Sequence, residues 1–73
     1  MEEKKKELNS ILIGLLFELE VPKTRIMLIM ATIAAYQLQQ TMIDWAVDYY
    51  EKEGTMTTQA FMSKLNALTT PNN

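Results

Sequence analysis

The chain has no cysteine and no histidine, and only one arginine, one tryptophan, two glycines and two prolines among its 73 residues. The missing cysteine excludes disulfides, the usual supplement to a thin core in a small secreted domain, and makes a cytoplasmic location the expectation. Without cysteine or histidine an ordinary zinc site cannot form, and any structural metal would need ligands drawn from carboxylates alone. Nucleophilic catalysis loses its usual partners, since Ser10 and Ser63 stand in a chain with no imidazole to take a proton. No glycine-rich loop offers backbone amides to a phosphate. A non-catalytic protein with no cofactor and no metal is therefore expected.

Excess positive charge is also missing. Seven basic residues against nine acidic ones give a formal net charge of −2, so no general field draws the chain to nucleic acid or to an anionic membrane. A helix-turn-helix reading is weak for the same reason. Its recognition helix would be the last one, where Lys64 is the only cation available for phosphate contacts.

Long hydrophobic runs are lacking too. The longest uncharged apolar stretch, "IMLIMATIAA", covers residues 26–35 before Tyr36, Gln37, Gln39 and Gln40 interrupt it, whereas a helical span needs about 20 apolar residues. Lys4, Lys5 and Lys6 ahead of the apolar run Ile11 to Phe17 imitate a signal peptide. Glu2, Glu3 and Glu7 among the lysines, and the lack of a small-residue cleavage site, argue against one. Neither a nucleic-acid nor a membrane partner is expected.

What the chain does have is 48% hydrophobic residues, recurring at spacings of three and four among Leu, Met, Ala, Gln, Glu and Lys, which favour helix. The expected fold is all-α: a three-helix bundle with a long central helix flanked by two shorter ones. Residues 1–70 form one helical domain and 71–73 a frayed tail after Pro71. The first helix runs from about Glu3 to Glu20 and the second from Pro22 to Glu53, opened by a proline that suits a helix start and closed by Gly54 as a left-handed cap. The third runs from Thr58 to Leu68, with Thr57 as its cap and Met56 and Phe61 as a hydrophobic staple. A four-helix alternative arises if the second helix breaks near Gln37–Thr41, where Thr41 and Asp44 have the spacing of a capping box.

A core below roughly 70–80 residues seldom stabilises a fold alone. With disulfides excluded, oligomerisation is the expected supplement. A continuous second helix would be about 48 Å long, against a diameter of roughly 30 Å for a compact chain of this size. Laid out with the shorter helices end to end along it, the molecule would leave an apolar flank for a second copy to cover. The expected homodimer seam comprises Ile26, Ile29, Met30 and Ile33 with Ile13 and Phe17 from the first helix. The rival is a bent second helix that buries its own apolar face in a monomer.

For a partner other than itself, the acidic-aromatic patch Asp44, Trp45, Asp48, Tyr49 and Tyr50 is the candidate, because Trp and Tyr are the residue types that dominate interface energetics. Asp44 and Asp48 share a helix face, but divalent cations want about six oxygen ligands and no further acid converges there. The methionines, Met27, Met30, Met42, Met56 and Met62 among them, read as core filling before they read as an adaptable groove. The functional expectation is a small helical protein that works by binding, to itself or to a larger protein that it regulates or inhibits. A helical inhibitor of the kind phages and mobile elements encode fits the same pattern, since occlusion needs no catalytic residue. The alternative from another class is a dimer seam that binds a small ligand, with Tyr36, Gln37, Gln39 and Gln40 as its polar groups.

Overall fold

In the computed structural model, which describes residues 2–71, four helices follow one another: α1 (Glu2–Glu18), α2 (Lys23–Ala35), α3 (Gln39–Glu53) and α4 (Thr58–Thr69). No strand occurs among the described residues. The all-α expectation holds, and the long central helix does not. The chain breaks over Tyr36–Leu38, and the axes of α2 and α3 are bent by 114°. Of the expected tail only Pro71 lies within the described residues; Asn72 and Asn73 lie outside them.

The break uses no proline and no glycine. Gln37 adopts a left-handed conformation with φ 54°, its N–H donates to the Ala34 carbonyl at 3.1 Å, and the Leu38 N–H donates to the Ile33 carbonyl at 2.9 Å. These two bonds define a Schellman ending, which satisfies carbonyls that a helix terminus otherwise leaves open. Leu38 packs against the core that Ile33 joins, supplying the apolar contact that accompanies the motif.

The same device closes α1. Glu20 has φ 61°, its N–H donates to Phe17, and the Val21 N–H reaches back to the Leu16 carbonyl at 3.1 Å. Val21 and Leu16 are both buried. Pro22 then precedes α2, and its carbonyl accepts from the Ile26 N–H at 2.9 Å. Thr41 caps nothing: α3 already begins at Gln39 behind Leu38, which provides no side-chain cap.

The remaining stop and start signals are used as the sequence implies. Gly54 ends α3 at φ 76° with its N–H on the Tyr50 carbonyl, and the Thr57 hydroxyl accepts from the Ala60 N–H at 3.0 Å. Met56 and Phe61, on either side of that cap, are both buried. Two long hydrogen bonds tie α4 down at its ends. The Thr58 hydroxyl donates to the Leu19 carbonyl at 3.5 Å, and the Tyr36 hydroxyl donates to the Thr69 carbonyl at 3.4 Å.

The core gathers Leu12 and Leu16 from α1, Ile26, Ile29 and Ile33 from α2, Met42 and Ala46 from α3, and Phe61 and Leu65 from α4. With a radius of gyration of 11.9 Å, the chain is close to the value of about 11 Å that its length predicts. The bend makes this possible, because α2 and α3 can then turn their apolar stripes to one centre. Two polar groups share the interior: Gln39 is buried, and Asn9 Oδ1 has no hydrogen-bond partner among the described residues.

Replacing Gln37 or Glu20 with glycine is expected to relieve left-handed backbone strain and to raise stability by about 0.5–1 kcal/mol. Gly54→Ala is expected to cost about 1 kcal/mol, as strain alone, since a Cβ there meets nothing within 4 Å. Thermal melts followed by circular dichroism read all three, with about 4–8 °C per kcal/mol for a domain of this size.

Candidate functional site

The residues set down for the dimer seam divide by depth. Ile26, Ile29 and Ile33 are buried in the chain's own core, so they are covered without a second copy and are out of its reach. Met30 and Ile13 are half-buried. Phe17 is the member that faces solvent, 57% exposed. Sequence spacing placed the isoleucines on one face correctly, but the bend turns that face inward.

The residues of the acidic-aromatic patch on α3 differ in depth: Asp44, Asp48 and Tyr50 are exposed, and Trp45 and Tyr49 half-buried. Trp45 and Tyr49, one turn apart, have ring centroids separated by 5.1 Å, and Trp45 also meets Phe61 of α4 edge-on at 6.3 Å. Both are half-buried, and Trp45, through Phe61, holds α4 against α3. Tyr50 lies about 140° around the helix from Trp45, by the 100° step per residue, on the flank with the exposed Val47.

Asp44 and Asp48 are exposed on the outer side, and each has a partner on its own helix. Asp44 Oδ1 accepts from Gln40 Nε2 at 2.9 Å, and Asp48 Oδ2 pairs with Lys52 Nζ at 3.1 Å. Such exposed i, i+4 pairs contribute about 0.5 kcal/mol or less. No group of three acidic residues that could hold a metal ion occurs among the described residues.

The polar groups offered for a ligand pocket also part company. Gln39 is buried while Tyr36, Gln37 and Gln40 face solvent. One hollow lies between α2 and α4, where Arg25, Leu28, Thr32, Met62, Asn66 and Thr69 border a groove of about 170 Å³. Pockets for small organic ligands run from about 300 Å³ upward. A second, shallower depression of about 540 Å³ is bordered by Lys6, Glu7, Ser10 and Ile11 of α1 alone, with no second element to enclose a ligand. Met42 and Met56 fill the core, as their composition implied, whereas Met27 is exposed.

What remains is an uncharged outer face on α2. Thr24, Met27, Leu28, Ala31, Ala34 and Ala35 are all exposed, and they span an arc of about 120° on a helical wheel. Met27 and Leu28, at 66% and 69%, are the most exposed of the large apolar side chains. The face lies opposite the three buried isoleucines. Its signal in the sequence was the run "IMLIMATIAA" being apolar all round, which exceeds what one core-facing stripe requires.

No single helix among the described residues is long and apolar enough to cross a membrane; α2 and α3 together have the length and composition but are bent by 114°. No protein-family model matches the chain, and no curated protein or solved structure shows significant similarity to it.

Calcium or magnesium at millimolar concentration is expected to leave the melting temperature unchanged, because Asp44 and Asp48 bring two carboxylates where about six oxygens are needed. Trp45→Ala is expected to cost about 2 kcal/mol by loosening α4, and Tyr50→Ala less than about 0.5 kcal/mol. Chemical denaturation of each variant separates the two.

Proposed function

We propose that this chain is a small non-catalytic protein that acts by protein–protein interaction, associating with itself and regulating a larger protein by occupying part of its surface. The observation that carries this reading is the outer face of α2, where Met27 and Leu28 stand in solvent in a segment with no charge from residue 26 to residue 43. A helix face turned to water ordinarily carries charge, and an uncharged one gains stability when something covers it.

The total surface agrees with this. The chain exposes 5336 Å², against about 4600 Å² for a monomer of its mass. Part of the excess is the charged start of α1, where Glu3 to Glu7 are all exposed. Apolar side chains such as Ile11, Phe17 and Leu28 supply more of it. A binding role is also consistent with the chemistry, since the chain contains no imidazole or thiol. The small-ligand reading gains nothing from a groove of about 170 Å³.

A photo-crosslinking amino acid placed at Leu28 should yield a discrete adduct in cells that make the protein, while the same group at Glu51, on the charged side of α3, should not. An adduct at twice the chain mass means self-association, and one at any other single mass means a larger partner. If positions 28, 17 and 11 all stay free of adducts, the chain does not act by binding through its apolar surface.

A further inference from the structure

The geometry points to a second copy of this chain as the occupant of the outer face of α2, packed antiparallel to the first. This rests on the interaction reading above and adds which of its partners takes that face, and in what orientation.

The argument starts from the charges on α2. Its first turn holds Lys23 and Arg25 with no acidic residue, and its last turn holds no basic residue. Pro22 before it supplies no side-chain cap. A helix carries partial positive charge at its N-terminus and partial negative charge at its C-terminus, so the start of α2 is opposed by its own cations, and its end, where backbone bonds occupy the Ile33 and Ala34 carbonyls, carries no cation of its own. No ion pair relieves Lys23 or Arg25: among the described residues the one ion pair is Lys52 with Asp48. An antiparallel copy brings the cationic start of each α2 beside the C-terminal carbonyls of the other. A parallel copy would set the two Lys23 side chains together.

Side-chain sizes along the face fit the same orientation. The large residues Met27 and Leu28 lie in its N-terminal half and the small Ala31, Ala34 and Ala35 in its C-terminal half. Reversing one helix against the other puts large on small: Leu28 falls opposite Ala31 of the second copy, and Thr24 opposite its Ala35. Parallel pairing would place bulk against bulk at one end and leave a gap at the other.

The contact is short. A helix of 13 residues is about 20 Å long, so this pairing buries less than the roughly 800 Å² per partner of a standard interface. Association in the micromolar range or weaker follows.

Sedimentation equilibrium of the pure chain from about 10 μM to about 1 mM brackets that range. The wild type should pass from monomer towards dimer across the series. Leu28→Glu should weaken association at least about tenfold, because it buries an unpaired charge. That side chain is exposed in the single chain, so Leu28→Glu should keep the wild-type helical spectrum. Val47→Glu, exposed on α3, should dimerise as the wild type does.

Orientation is read by mixing Thr24→Cys and Ala35→Cys chains under mild oxidation, with the native sequence contributing no thiol of its own. Disulfides between the two variants should form ahead of those within either variant. A wild type that is monomeric throughout, a Leu28→Glu variant that still dimerises, or preferred Thr24→Cys homodimers would each overturn the inference. If the pure chain is monomeric while the crosslinker at position 28 captures another protein, this inference fails and the interaction reading stands. A monomer with no adduct ends both.

Discussion

The backbone bond from Leu38 back to Ile33, closed across a left-handed Gln37, is the constraint on which the rest of the molecule depends. It stops one helix and starts the next within three residues, and it does so without either of the residues that usually mark such a place. A non-glycine residue in this conformation costs about 1–2 kcal/mol. The return is that Ile26, Ile29 and Ile33 on one helix and Met42 and Ala46 on the next reach a common core with Leu12, Leu16 and Phe61. Without the bend those groups would lie along a rod longer than the molecule's greatest extent of 33 Å.

This explains which parts of the fold were legible in the residues. Helix type, the Gly54 stop and the Thr57 cap with its Met56 and Phe61 neighbours follow from local chemistry, which acts within four or five residues and is written there. The break is a tertiary decision. Its trace in the sequence is a change of phase: the buried positions of α2 and of α3 lie about 140° apart when both are drawn on one continuous wheel. Thr41 and Asp44 looked like a cap because their spacing matches one, yet spacing alone does not say that a helix begins there. A polar Gln37 and Gln39 beside an apolar Leu38 gave no glycine or proline to mark the turn.

The surface was legible in a different sense. Residues 26–35 are apolar on every side, and Ile26, Ile29 and Ile33 on one side of the run are buried within the chain itself. The run's solvent-facing side, with Met27 and Leu28, is the remainder. In the acidic-aromatic patch, neighbours along the chain differ in depth and direction on α3. Trp45 packs on Phe61 of α4, Tyr49 lies beside Trp45 on α3, Tyr50 is on the opposite flank, and the two aspartates are in local pairs. Residue type suggested a hot spot, and helix azimuth divided it.

α2 and α3 are separate helices folded back across Gln37. Spin labels on Thr24→Cys and Lys52→Cys, in a chain otherwise free of thiols, test this most directly by pulsed dipolar spectroscopy, with labelled protein diluted in unlabelled chain so that only distances within one molecule are read. Two helices bent by 114° place these backbone positions about 20–25 Å apart, at 1.5 Å of rise per residue. A distribution centred there is predicted. One centred near 42 Å, the length of an unbroken helix between them at about 1.5 Å per residue, would mean that α2 and α3 form a single straight helix.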